Sequence, residues 1–283
     1  MDKALLQKLK VFAAEIRIGT LEAIGTLGFG HLGGSLSIAD ALAVLYGAVM
    51  RVDPDNPGWP ERDKFVCSKG HAGPAVYATL GLKGYFPYED IRTLNKPGTN
   101  FPSHCDRKKT PGIDMTTGSL GQGASLAVGL ALGDRLKGRS SRCFLMLGDG
   151  EINEGQVWEA AELASSRRLN NLYVFIDNNK KQLDGYVKDI LDTGDIAYKF
   201  ASFGFDTQRI NGNDAAAIYE AIQTAAEICD RPHAIVLDTI KGAGVAEVEN
   251  TVSNHSMNIT REQADGWIAA LRDEIEAMGG KPA

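Results

Sequence analysis

From residue 124 onward the chain alternates between two kinds of segment. Helix-period stretches at 124–136, 154–168, 196–203 and 215–228 are separated by short apolar runs at 143–147, 172–176, 205–210 and 234–237. The runs have strand length and are mostly continuously apolar, the pattern of strands covered on both faces. Strands joined through helices of this length form right-handed crossover units, and such units build a parallel sheet. The expectation is an α/β fold, a parallel sheet with helices on both faces.

The front half is less regular. A helix is expected over 4–27, stopped by Gly28 and Gly30, and a second over 38–50, stopped by DPDNPGWP. A short strand at 64–68 runs into Gly70 and His71, and residues 97–123 are rich in Gly, Pro, Ser and Thr. A loop that long in a compact domain usually has a functional task. The final helix, 261–278, opens on a capping box, with Thr260 three residues before Gln263. No repeat, low-complexity tract or linker interrupts the chain, so 1–283 is read as one domain.

Composition narrows the function classes. A net charge of −6 argues against an extended nucleic-acid footprint, which needs a strongly basic face. Cys67, Cys105, Cys143 and Cys229 are widely spaced, with neither a disulfide framework nor a paired zinc pattern, and a reducing cytoplasm fits them best. The amino terminus reads as a charged amphipathic helix rather than an export signal, and no apolar run approaches the roughly 18 residues of a membrane span.

In an open parallel sheet, ligands sit outside the carboxyl ends of the strands. Two polar stretches fall at such ends: GDGEINEG (148–155) after CFLML, and DNNKKQLDG (177–185) after LYVFI. Asp149 and Asn179 thereby stand on strands expected to be neighbours. Alone, Gly-Asp-Gly equally suits a tight turn. Between a strand and a helix, and paired with an asparagine, it suits magnesium, which takes about six hard oxygens and prefers one or two carboxylates plus phosphate oxygens to an all-protein cage. Gly148 and Gly150 would let the main chain approach a diphosphate, with the amino end of the next helix facing the same charge.

Here the sequence resembles thiamine-diphosphate enzymes, whose pattern is Gly-Asp-Gly followed about thirty residues later by paired asparagines, here Asn178 and Asn179. The resemblance implies the thiamin-diphosphate-binding (PP-domain) fold, with Asp149, Asn179 and the main-chain carbonyl of Lys181 on Mg2+. Further motifs resemble the transketolase family: IGTLGFGHLGGSLS around His31, RDKFVCSKGHAGPAVY around His71, FPSHCDR with His104, MTTGSLGQGASLAVGLALG over 115–133, and NHSMN with His255. By that resemblance the main chain at Gly118 and Leu120 contacts the aminopyrimidine ring. His71 and His255 donate to diphosphate oxygens, His104 contacts substrate oxygens, and His31 faces donor or acceptor hydroxyls. Glu154 and Glu159 would lie where paired active sites meet, although acids at a helix start also have an ordinary structural role there. Imidazole is the side chain suited to proton movement near neutral pH. His233 matches no motif and is read as an ordinary surface histidine.

In the family, the glutamate that acts on the aminopyrimidine N1′ belongs to a second, pyrimidine-binding domain, followed by a third. This chain is expected to be the diphosphate-binding half of a split transketolase, inactive without a second subunit carrying the pyrimidine domain, and assembled as two copies of each chain. The reaction implied is transfer of a glycolaldehyde unit from a ketose phosphate to an aldose phosphate, or from a branched sugar phosphate such as apulose 4-phosphate. The thiamine subunit of a 2-oxo acid dehydrogenase is the alternative, although TTGSLGQG with four histidines in this order is not expected there. Ser256 stands where the family commonly has glycine, a departure expected to reshape the substrate channel.

Overall fold

The computed structural model describes residues 1–183 and 185–280. Its frame is α1 (Lys3–Leu27), α2 (Ala39–Val44), β1 (Lys64–Cys67), α3 (Gly73–Leu82), α4 (Gln122–Leu136), β2 (Cys143–Gly148), α5 (Gly155–Ser166), β3 (Leu172–Asn178), α6 (Ile196–Ser202), β4 (Asp206–Asn211), α7 (Ala215–Ala226), β5 (His233–Asp238) and α8 (Arg261–Ala277). The five strands form one parallel sheet in the order β1-β2-β3-β5-β4.

That order explains where the helices lie. The chain moves in one direction across the sheet from β1 to β4, and α4, α5 and α6 pack on a single face against Val66, Leu145, Leu147, Val174, Ile176 and Val236. The step from β4 to β5 runs backward. Its helix, α7, lies on the opposite face with α2 and α3, against Phe65, Phe144, Met146, Phe175 and Ile235. A right-handed crossover changes face whenever its direction reverses, so both faces are covered and the strands must be apolar throughout. A third cluster joins α1 to α8 through Ala14, Leu21, Ile24, Ala264, Ile268 and Leu271.

Several elements follow the sequence closely. The Asp2 carboxylate caps α1, and Gly28 ends it with φ +83°, its N–H bonding to Ile24 O at 2.8 Å. Thr260 and Gln263 form the expected capping box of α8. The helix expected over 38–50 is α2 continued by a π turn at Leu45–Val49. The sequence reading lacked α3, because GPAVYATLGL is apolar on every side and shows no helical period; α3 is buried almost throughout. It also lacked two small ribbons, Phe29–Gly30 with Met257–Asn258 and Lys181–Gln182 with Gly185–Tyr186, whose pairing depends on partners distant in the chain or on a tight local turn.

The long loop at 97–121 keeps no regular structure but is held firmly. Thr117 N–H donates to Cys105 O at 3.0 Å, and the Thr117 hydroxyl donates to Cys67 O at 2.7 Å. The Tyr77 hydroxyl lies 2.8 Å from Pro102 O and 3.0 Å from His104 O. These bonds fix His104 and Gly118 over the end of β1. Among the described residues, no helix is long and apolar enough to cross a membrane.

Candidate active site

A cleft of about 790 Å3, counting its open mouth, lies beyond the carboxyl ends of β1, β2, β3 and β5. That is where an open parallel sheet receives ligands. Lys69 and His71 follow β1, Gly148–Glu151 close β2, Asn179–Leu183 follow β3, and Lys241 follows β5; His31, Gly34, His104, Gly118, Leu120 and His255 complete the wall.

The floor is organised around Asp177, which is wholly buried at the end of β3. Its carboxylate accepts from the Lys69 ammonium and the Thr239 hydroxyl, from Ser37 Oγ at 2.6 Å, and from Asn179 Nδ2 at 2.8 Å. Burial alone would raise this carboxyl, but Lys69 and the hydrogen bonds hold it below its usual range. Because Asn179 donates its amide nitrogen to Asp177, its Oδ1 is the free end, and this oxygen accepts from Lys181 N–H at 3.1 Å. The Asp149 carboxylate accepts from Gly150 N–H at 2.8 Å and from Lys180 N–H, which ties it to the turn carrying Asn179. Burial, and then the charge on Asp177, push Asp149 up to about 7, despite those two bonds. A cation at this point would remove that cost. The Lys181 carbonyl, already an acceptor for Lys241 Nζ at 3.0 Å, is the next oxygen along.

Four imidazoles form the opposite wall. His31 lies 5.5, 5.4 and 5.3 Å, centroid to centroid, from His71, His104 and His255, and His71 lies 4.6 Å from His255. Burial, then the neighbouring Lys241 and His31, drive His255 down to about 3; burial and Lys69 hold His71 well below its usual value. His31 and His104 are lowered as well, chiefly by burial. Burial and Lys69 lower Lys241 to about 8. This crowding of suppressed cations around a lysine pair is the electrostatic pattern of a site shaped for an anion.

Backbone geometry keeps the space open. Gly118 has φ +153°, and a Cβ there would stand 3.3 Å from the His104 ring; a Cβ on Gly34 would stand 3.2 Å from His71 Nε2. His31 Nδ1 and Gln182 Nε2 are both shielded and find no hydrogen-bond partner among the described residues. Among the described residues, no group of three or more His, Cys, Asp or Glu side chains could hold a metal alone. Asp149, Asn179 Oδ1 and the Lys181 carbonyl offer hard oxygens, the donor type that suits magnesium when phosphate oxygens complete its coordination.

Residues 9–274 match the family described as transketolase, thiamine diphosphate binding domain. The chain belongs to the transketolase family. A 6-deoxy-6-sulfo-D-fructose transketolase subunit of Clostridium sp. (strain MSTE9) is 50% identical over 259 residues, covering 92% of this chain and 94% of that protein. An apulose-4-phosphate transketolase subunit of Actinobacillus succinogenes is 34% identical, covering 94% of this chain and 95% of that protein. Among solved structures, the Pichia stipitis transketolase complex with sedoheptulose 7-phosphate superposes with a TM-score of 0.88 at 29% identity, over 98% of this chain but 41% of that one. Transketolase from Leishmania mexicana gives 0.87 at 29%, over 97% and 42%. The chain thus spans nearly all of the subunit relatives and less than half of the longer transketolases.

Within this family frame, the cleft gathers the residues anticipated from sequence apart from Glu154 and Glu159, which stand exposed outside it, Glu154 at the start of α5 and Glu159 within it; the resemblance had assigned both to a contact between paired active sites rather than to the cleft. The glutamate that reaches inward is Glu151, which accepts from Ser68 Oγ, from Gly121 N–H at 2.8 Å and from Gly148 N–H at 3.0 Å. It clamps the long loop to the end of β2. Lys69, Glu151, Gln182, Leu183 and Lys241 also line the cleft and were missed. The signal for Lys241 was available, since it sits just past a strand's carboxyl end. His233 is corrected from surface to core: it is fully buried, 4.6 Å from the Tyr173 ring and 3.3 Å from Asp206, and outside the cleft.

The suppressed histidines couple stability to pH. Unfolded His255 takes up a proton near 6.5 and the folded residue only near about 3, so between those values the unfolded chain binds more protons. Its contribution is intact above 6.5 and is lost progressively as pH falls from there toward about 3. Thermal unfolding of cofactor-free wild type and His255→Asn at pH 7.5 and 5.5 is expected to show a steeper acid loss in wild type. Parallel losses would refute the assignment.

Proposed function

We propose that this chain is the diphosphate-binding subunit of a two-chain transketolase. It holds Mg2+ and thiamine diphosphate through Asp149, Asn179 and the Lys181 carbonyl, and acts with a second chain that carries a pyrimidine-binding domain. The observation that carries this reading is the buried carboxylate of Asp149 beside the oriented Asn179, facing four neutral imidazoles across one cleft.

When bound, the cofactor supplies a nucleophilic carbon that can carry a two-carbon fragment as an electron-rich adduct. The rest falls to side chains. His71 and His255 donate to diphosphate oxygens, with Lys69 and Lys241 adding positive charge. His31 and His104 are neutral at neutral pH, so each offers one nitrogen as donor and one as acceptor. They can take the proton leaving the donor's C3 hydroxyl as its C2–C3 bond breaks, and return it to the acceptor's aldehyde oxygen as the new bond forms. Leu120 and Leu183, on the cleft wall, are exposed, as are Tyr186 in the small ribbon and Ile190 and Leu191 just beyond it. This apolar rim supports coverage by the partner, which would exclude water and bring the glutamate to N1′. An assembly of two copies of each chain follows if, as in the family, active sites form between subunits.

For substrate we favour 6-deoxy-6-sulfo-D-fructose as the two-carbon donor, because the relative named for it is 50% identical, against 34% for the one named for apulose 4-phosphate. Loss of carbons 1 and 2 leaves a four-carbon aldose that keeps the sulfonate, and an aldose phosphate acceptor becomes a ketose phosphate longer by two carbons.

The test is to mix the chain with its partner, Mg2+ and cofactor, and to follow products by mass spectrometry. Donors would be the sulfo-sugar, fructose 6-phosphate, xylulose 5-phosphate and apulose 4-phosphate. The mixture should exceed the chain alone by about a thousandfold or more, and the sulfo-sugar should lead in kcat/KM by about tenfold. Comparable ketol transfer by the chain alone would overturn the split-enzyme reading, and a preference for another donor would overturn the substrate.

A further inference from the structure

The roles assigned above leave Gln182 unused, although it lines the cleft between Lys181 and Leu183. Its amide Nε2 is shielded from solvent and donates to nothing among the described residues. An amide donor stranded in this way is costly, and folded proteins leave few of them. Gln182 is not a loose surface side chain. Its backbone is paired with Gly185 in the small ribbon after β3, and its side chain lies flat on Gly150. A Cβ on Gly150 would come within 2.9 Å of Gln182 Cβ and 3.0 Å of its Oε1, so the glycine is what lets the carboxamide settle there. Gly150 directly follows Asp149, while Lys181, whose carbonyl faces Lys241 at 3.0 Å, directly precedes Gln182. The stranded donor therefore belongs to the stretch of chain that surrounds the proposed metal.

We propose that Gln182 is a cofactor-binding residue whose Nε2–H donates to a phosphoryl oxygen of the bound diphosphate. Its role differs from that of Asp149 and Asn179, which would reach the diphosphate through the metal, because Gln182 contacts the anion directly as a neutral donor. The long side chain spans the gap from the ribbon to Gly150, and a shorter residue would leave both the gap and the anion oxygen unfilled. The inference rests on the reading of the cleft as a magnesium–thiamine diphosphate site.

The test uses the chain together with its partner, and measures the dissociation constant of thiamine diphosphate in saturating Mg2+ by isothermal titration calorimetry. Wild type is compared with Gln182→Leu, which keeps the bulk and loses the donor, and with Gln182→Glu, which keeps the shape and places a carboxylate against the anion. The expected result is about tenfold weaker binding for Gln182→Leu and about a hundredfold for Gln182→Glu. The melting temperature of cofactor-free Gln182→Leu should stay at or above that of wild type, because a stranded donor has been removed. If wild type binds and both variants bind within about twofold of it, Gln182 does not touch the anion although the cofactor reading stands. If wild type itself binds no thiamine diphosphate, both readings fail together.

Discussion

Replacing Asp149 by asparagine is expected to uncouple stability from function in opposite directions. The carboxylate is buried beside Asp177 and titrates near about 7, so above that pH the cofactor-free fold holds a charge it would rather not bury. The sign is clear: for an acid raised from 3.8 to about 7, the cost to folding grows as pH rises between those values, where only the unfolded chain ionises, and is fully present above about 7. Asparagine removes the charge at the cost of one hydrogen bond, because Gly150 N–H and Lys180 N–H donate to different oxygens of the carboxylate and only one oxygen remains. The cofactor-free Asp149→Asn chain should therefore melt at or above wild type at pH 8. Its gain should shrink at pH 6, where the wild-type carboxyl is protonated. Magnesium-dependent binding of thiamine diphosphate should meanwhile fall by at least about a hundredfold, and ketol transfer by the two-chain enzyme by about a thousandfold or more, since a neutral amide replaces a charged ligand of the ion. Calorimetry and steady-state kinetics would show this. A variant that binds magnesium and cofactor as wild type does would remove Asp149 from the metal site.

The largest loss of stability is expected from Asp177→Ala. This carboxylate is fully buried, and so is its ion-pair partner Lys69, at 1% exposure. Deleting one member of a buried pair strands the other charge, at a cost of about 3–5 kcal/mol. Ser37, Thr239 and Asn179 would lose an acceptor as well. Glu154→Ala, on an exposed residue with no side-chain cap bond, should stay within about 0.5 kcal/mol of wild type. Urea unfolding of the two variants gives the contrast directly. If Asp177→Ala costs no more than Glu154→Ala, the Asp177 hub is not what secures the cleft floor. A surviving Asp177→Ala protein should also bind magnesium weakly, because Asn179 would no longer be held with its oxygen toward the ion.

Much of the site was legible because its chemistry is carried by short contiguous motifs. Gly148, Asp149 and Gly150 sit where an apolar strand gives way to a helix, and Asn179 sits at the next such end. Rules about strand ends and hard-oxygen ligands reach those residues without coordinates. The histidines were legible as a set only through their family resemblance; their gathering around His31, with ring centroids 5.3–5.5 Å away, and the burial that chiefly suppresses their charge were not. Glu154 was assigned through the resemblance to a contact between paired active sites, whereas Glu151 was passed over because sequence does not show which carboxylate of an acidic stretch turns inward. The choice depends on the helical turn at Glu151–Asn153 and on donors brought from Ser68 and Gly121.

The sequence by itself determined the alternation of strand and helix, the helix caps at Thr260 and Gly28, and the place of Asp149 and Asn179 at two strand ends, because each rests on neighbours within a few residues. Only the tertiary structure decided the strand order, the face taken by α7, the burial of His233 and the assembly of Asp177 with Ser37, Lys69 and Thr239. Those depend on packing between segments far apart in the chain: a buried charge becomes tolerable only when such segments bring donors to it.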